Sequence, residues 1–390
     1  MKRSQQRFLT THTGSLPRPP ELLELIYARE QGQPVDAAAL EQQLDKAVAD
    51  VVARQMEAGI DVVDDGELSK IGFNAYAKDR LSGLGRSGPR GASPSGDHVG
   101  LHGGPLDRRE HPDYVTVASG GARLVEFPAC DGPIGYRGEF AVAEDLRRFR
   151  RVVDLARPVD AFVTAVSPGT LTTIFGEGYY PGYEAFVFAV AEAMRVEYQA
   201  IVQAGFTLQL DAPDLAMERH MKFAAGTEED FVRVVELHVA ALNRAIEGLP
   251  VEQVRLHVCW GNYPGPHTYD VPLEKILAAL LGAHVGALSI EASNPRHEHE
   301  WHLFEQVKLP PDLILIPGVI DSCTNYVEHP ELVAERIIRL ARLVGRENLI
   351  AGTDCGFGTF AGRELVAPTV AWRKLRSLAE GAALASRALW

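Results

Sequence analysis

Cysteine is scarce in this chain: Cys130, Cys259, Cys323 and Cys355 are the four among 390 residues. A set so sparse and so widely spaced argues against a disulfide framework and suits a reducing compartment. Long apolar runs are missing as well. None approaches the roughly 20 residues that a membrane-spanning helix needs. The opening MKRSQQRFLTTHTG carries no apolar stretch of the signal-peptide kind, so the expected location is the cytoplasm. Positive charge is in deficit, with 39 Lys and Arg against 52 Asp and Glu and a net charge of −13. That balance leaves no electrostatic footprint for nucleic acid or for an anionic membrane. Association with further copies of the same chain stays open.

What is present is ample core-forming material, 46% hydrophobic residues, arranged in alternating strand-like and helix-like stretches. Arg7 to Ser15 reads as a short strand ending in a Gly-Ser turn. Leu16 to Pro20 is too proline-rich for regular structure. Asp36 is a good N-cap for a helix from Ala37 to about Ala58, ended by Gly59. Ile60 to Asp64 is a second strand. From Glu144 onward the alternation is steady, with strands at 160–166, 206–210, 254–258, 286–290, 313–319 and 348–352. Helices at 144–156, 183–204, 228–247, 271–282, 330–344 and 363–379 separate or follow them. Thr227 to Asp230 is a capping-box-like helix start. Eight strands alternating with helices predict an α/β chain folded as one (β/α)₈ barrel over residues 1–390. A doubly wound open sheet is the alternative.

An insertion over 70–143 interrupts the alternation after the second strand. Its Gly/Pro-rich part, 83–105, reads as a surface excursion. Gly83 to Gly88 spells G-x-G-x-x-G, but no strand precedes it and no helix follows, which excludes the dinucleotide fingerprint. Tyr114 to Phe127 reads as a β-hairpin turning at Gly120-Gly121.

The chemistry of a (β/α)₈ barrel gathers at the C-terminal ends of its strands. Those ends are polar here. His257 and Cys259 share one face at the end of the fifth strand, because side chains at i and i+2 point the same way. Glu291 ends the sixth strand and Cys355 follows the eighth. One imidazole, two thiols and a carboxylate select zinc over magnesium or calcium. A zinc ion so surrounded by negative charge activates water poorly, but suits binding a substrate thiol and keeping it nucleophilic at neutral pH. Cys323, also at a strand end, reads as a small buried hydrophobe, and Cys130 as inert. His297, His299 and His302 read as a solvated helix face, since no H-E-x-x-H is present. Trp260 and Tyr263 suit either packing or stacking on a flat ligand.

Six motifs make a more specific pattern when taken together. They are Thr11-His12-Thr13-Gly14-Ser15-Leu16-Pro17, Asp65-Gly66-Glu67, Leu208-Gln209-Leu210-Asp211-Ala212-Pro213, His257-Val258-Cys259, Ile290-Glu291-Ala292-Ser293 and Thr353-Asp354-Cys355-Gly356. In this order the chain resembles the catalytic, C-terminal half of cobalamin-independent methionine synthase and the stand-alone barrel proteins related to it. The resemblance implies zinc held by His257, Cys259, Glu291 and Cys355. It also implies an amino-acid pocket formed by Ser15, Glu67 and Asp211, with Ser293 placed beside it. The implied reaction is methyl transfer to the thiol of homocysteine, with a methylated folate as donor. His329 or a neighbouring acid would then protonate the leaving nitrogen. Ala212 departs from the family's Asp-Glu-Pro, and the long N-terminal half is missing. A different thiol or electrophile on the same scaffold therefore stays open, as in the zinc enzyme that adds coenzyme M to epoxides. So does a zinc-binding protein without turnover.

Overall fold

The computed structural model describes residues 1–85, 105–114 and 128–390. Its strands are β1 (Leu9–Thr10), β2 (Val62–Val63), β3 (Leu81–Gly85), β4 (Ala129–Tyr136), β5 (Asp160–Val166), β6 (Thr207–Asp211), β7 (Val254–Val258), β8 (Ala287–Ile290), β9 (Ile314–Pro317) and β10 (Ile350–Ala351). β2, β5, β6, β7, β8 and β9 form one parallel sheet in that order, and β1 pairs in parallel with β10. Backbone bonds close the remaining gaps. Asp61 N–H donates to Thr10 O at 3.1 Å, and Val319 N–H donates to Gly352 O at 3.0 Å. The predicted (β/α)₈ barrel is what forms.

β6, β7, β8 and β9 are buried on both faces, as strands of a parallel sheet are, yet in β6 and β7 apolar residues alternate with buried polar ones, Gln209, Asp211, Arg255 and His257. The principal helices around them include α1 (Pro20–Glu30), α2 (Ala37–Glu57), α3 (Glu139–Ala156), α4 (Tyr183–Gln203), α5 (Glu228–Ala245), α6 (Pro330–Val344) and α7 (Pro368–Leu389). The expected caps are in place. Asp36 accepts from Ala38 N–H at 2.9 Å, worth about 1 kcal/mol. Thr227 and Asp230 form a reciprocal capping box on α5. Among the described residues no helix is long and apolar enough to cross a membrane.

Several boundaries differ from expectation. β1, β2 and β10 keep only two residues each in the ladder, because the chain beyond them turns away to build loops. The final helix starts at Pro368, not 363, and runs to Leu389. α1 was hidden by the prolines before it. Pro20 occupies its first turn, where a missing N–H costs nothing, and Leu22 and Ile26 bury its inner face. Between β2 and α3 the chain contributes an antiparallel pair, β3 with β4. Gly83 to Gly85 of the glycine motif belongs to β3. The hairpin expected over 114–127 lies, except for Tyr114, outside the described residues.

Candidate active site

The sheet register sets the site. In β6 and β7, Asp211 is paired with His257, and in β7 and β8, Val258 is paired with Ile290. Asp211 and His257 are thus neighbours, and Cys259 emerges beside Glu291. The loop after β10 delivers Cys355. His257, Cys259 and Cys355 are all buried, and their donor atoms lie within 4.8 Å of one another. Cys355 Sγ is 3.8 Å from His257 Nε2 and 3.3 Å from Glu291 Oε1. The other Glu291 oxygen accepts from Asn294 Nδ2 at 2.8 Å.

Burial and mutual charge shape the protonation of this group. Cys259 is pulled far below the usual thiol range by the hydrogen bond to Cys355 and, against its burial, by His257. Cys355 is pushed well up by burial and then by Cys259. Glu291 is pushed well up by burial and by the charges of Cys259 and Asp354. For His257 burial pulls down, but Cys259 and Asp211 outweigh it and leave it raised.

A cavity opens over these donors. Thr13, Ser15, Glu67 and Asp211 line one part of it. Phe73, Asn74, Met217, Asn262, Phe360 and Arg363 line another. Glu67 has φ of +56°, a conformation that costs a non-glycine residue on the order of 1–3 kcal/mol and marks functional loops. Its Oε1 accepts from Thr164 Oγ1 at 3.0 Å. Its Oε2 is buried and has no partner among the described residues. Burial pushes Glu67 up, with Lys70 and Arg18 pulling against it. Asp211 is pushed up to about 7 by burial and by the charge of Glu67. Two buried carboxylates therefore share one wall, where a cation relieves both.

The site loops are stitched to each other. Phe357 N–H donates to Ser15 O at 2.7 Å, and Leu16 N–H donates to Gly66 O at 3.1 Å. Thr13 Oγ1 donates to Thr353 O at 3.1 Å. Arg18 donates to Glu67 O, Lys70 O and Gly358 O, at 2.8, 2.9 and 2.6 Å.

Known proteins resemble this chain. The family described as "Cobalamin-independent synthase, Catalytic domain" matches residues 93–379, more than half of the chain. This chain belongs to that family. A methionine synthase of Sulfolobus acidocaldarius is 26% identical over 375 residues, 95% of this chain and 90% of that protein. One from Thermococcus kodakarensis is 26% identical over 381 residues, 97% and 94%. Among solved structures, the B12-independent methionine synthase of Shewanella sp. W3-18-1 has a TM-score of 0.73 at 21% identity. It covers 98% of this chain and 99% of its own. That likeness bears on the fold.

In this synthase-family barrel, the expected residues take distinct places. His257, Cys259 and Cys355 form the compact group, Glu291 touches it through Cys355, and Ser15, Glu67 and Asp211 line the cavity. Ser293 faces elsewhere: its hydroxyl donates to Asp354 Oδ2 at 2.7 Å, and it is not among the lining residues. Other expectations need correction. His297 is not on a solvated face. It is buried, 2.8 Å from Asp270 and 2.9 Å from Glu300, and stacked on Trp260. His299 and His302 are exposed as expected. Cys323 is only partly buried, and its thiol donates to Asn262 Oδ1 at 3.2 Å. His329 caps α6 at the surface and accepts from Glu331 N–H at 3.2 Å, so it is no proton donor to the cavity. Trp260 and Tyr263 are packing residues, the latter stacked on His267.

Sequence reasoning passed over Asn262 and Lys70. Asn262 Nδ2 donates to Gly356 O at 2.8 Å and to Thr359 Oγ1 at 2.6 Å, tying the loop after β7 to the loop after β10. Its position three residues after Cys259 was the available signal.

Proposed function

We propose that this chain is a zinc-dependent S-methyltransferase that methylates the thiol of an amino acid, homocysteine or a close relative. The convergence of His257, Cys259 and Cys355 on a cavity that also holds Glu67 and Asp211 carries this assignment. The donors suit zinc. Bond lengths of 2.0–2.3 Å place the corners of a zinc tetrahedron roughly 3.3–3.8 Å apart; here Cys355 Sγ lies 3.8 Å from His257 Nε2 and 3.3 Å from Glu291 Oε1, and the His257, Cys259 and Cys355 donors lie within 4.8 Å of one another. His257, Cys259 and Cys355 would hold the ion, with Glu291 as the fourth, exchangeable donor. When bound, zinc lowers the pKa of a substrate thiol and keeps its sulfur nucleophilic.

The rest is the work of the chain. Glu67 and Asp211 would pair with the substrate ammonium, and Ser15 stands beside them in the same wall. Burial of the whole set excludes water from the thiol. The S–CH₃ bond forms as the donor's CH₃–N bond breaks, and the leaving nitrogen takes up a proton. The apolar walls at Phe73, Met217 and Phe360 suit a flat donor such as a methylated folate. Zinc-edge X-ray absorption on the purified protein, without and with homocysteine, tests the assignment. A stoichiometric ion that gains a sulfur neighbour on adding homocysteine is the expected outcome. An unchanged edge would transfer the role to a different thiol, and a metal-free protein would end the zinc reading.

A further inference from the structure

We propose that Lys70 and Thr164 are positioning residues that aim the Glu67 carboxylate at the ammonium of the thiol substrate, a role that rests on the amino-acid reading of the cavity above. Lys70 Nζ donates to Thr164 Oγ1 at 2.9 Å and to Thr164 O at 2.8 Å. An ammonium has donors only, so the Thr164 hydroxyl must accept from it. The hydroxyl has a single proton of its own, and the partner left for it is Glu67 Oε1, at 3.0 Å. The direction of each bond is therefore set. One carboxylate oxygen is held from behind by a neutral donor, and the other, Oε2, is left buried beside the cavity without a partner among the described residues.

The surroundings hold this arrangement in place. Gly14 has φ of +137°, and a Cβ there would lie 2.6 Å from Thr164 Cγ2 and 3.0 Å from Glu67 Oε1. The Ser15 loop is thus packed directly on the pair. Arg18 clamps the carbonyls of Glu67 and Lys70 together. Lys70 Nζ also lies over the Tyr76 ring, 4.6 Å from its centre, so the ring and the threonine together hold the ammonium in place. A lysine used only to fill the core would have no need of a threonine hydroxyl interposed before the carboxylate.

The consequence is selectivity for thiols that carry an amino group. The zinc-loaded protein is titrated calorimetrically with homocysteine and with 4-mercaptobutanoate, which lacks the amino group. The wild type is expected to favour homocysteine by tenfold or more. In Lys70→Met and in Thr164→Val that preference falls below threefold, by weaker homocysteine binding alone. Thr164→Ser, which keeps the hydroxyl, retains it. Equal weakening of both thiols in both variants would mark a merely structural role and overturn the proposal, as would an unaltered preference. Circular dichroism identifies a variant that does not fold, and the comparison of Thr164→Ser with wild type then decides: its preference must persist. A wild type that does not distinguish the two thiols would instead overturn the amino-acid reading itself.

Discussion

Cys355 Sγ lies 3.8 Å from His257 Nε2, although 98 residues separate the two in the chain. The barrel brings them together, since the loop after β10 and the end of β7 open on the same rim. Replacing Cys355 with Ser removes a soft donor from that group. Loss of a group that merely supports a ligand costs 10–100-fold in metal affinity, so loss of a ligand is expected to cost at least about 100-fold. Competition for zinc against a chromogenic chelator measures this. Equal retention by wild type and Cys355→Ser would remove Cys355 from the metal site.

Asn294 supports Glu291 from behind, with Nδ2 at 2.8 Å from Oε2. Asn294→Ala frees that carboxylate to rotate. Zinc affinity is expected to fall by about 10–100-fold while far-ultraviolet circular dichroism stays unchanged. If Glu291 takes no part in metal binding, the same competition assay will show no difference.

Glu67→Gln keeps the shape of the side chain and removes its charge. A hydrogen bond to a charged group contributes about 1.5–3 kcal/mol, so homocysteine binding should weaken by roughly 10–100-fold. Asp211→Asn should act in the same direction. Calorimetry with 4-mercaptobutanoate provides the control, because its affinity should change far less. Equal losses for both thiols would indicate that the loop after β2 has collapsed.

Much of this arrangement was legible in the sequence, and the failures share a cause. Short strand stretches and capped helices announced themselves because their signals are local. The H-x-C of His257 and Cys259 did so for the same reason. Lys70 was hidden because its partner Thr164 lies 94 residues on, inside a strand that reads as plain core. His297 was misread because the polar run around it suggests solvent. Its burial depends on Asp270, which also lies 2.9 Å from His220 and His267. No spacing rule joins those four residues. Ser293 was placed by its motif, whereas Asp354, 61 residues away, decides where its hydroxyl points.

His12 links the site loops to pH. It is buried, with Nδ1 accepting from Gly14 N–H at 3.2 Å and Nε2 at 2.8 Å from Gln55 Oε1. That pattern requires the neutral ring with its proton on Nε2. Burial, helped by the charge of Arg255 and opposed by the Gln55 bond, lowers its pKa from 6.5 to about 4. As pH falls through 6.5 the unfolded chain takes up a proton that the folded chain refuses. Stability is therefore complete above that value, declines between 6.5 and about 4, and levels off below. The slope is at most about 1.4 kcal/mol per pH unit. Urea midpoints at pH 7 and pH 5 for wild type and His12→Asn isolate the effect. Asn keeps an acceptor for Gly14 but cannot titrate, so the stability advantage of wild type over the variant should shrink by about 2 kcal/mol between the two pH values. A constant difference would mean that His12 takes up its proton in the fold over the same pH range as in the unfolded chain, and so is charged at pH 5. The Gly14 N–H would then have no acceptor in the ring, and the loop that carries Ser15 would need a different support.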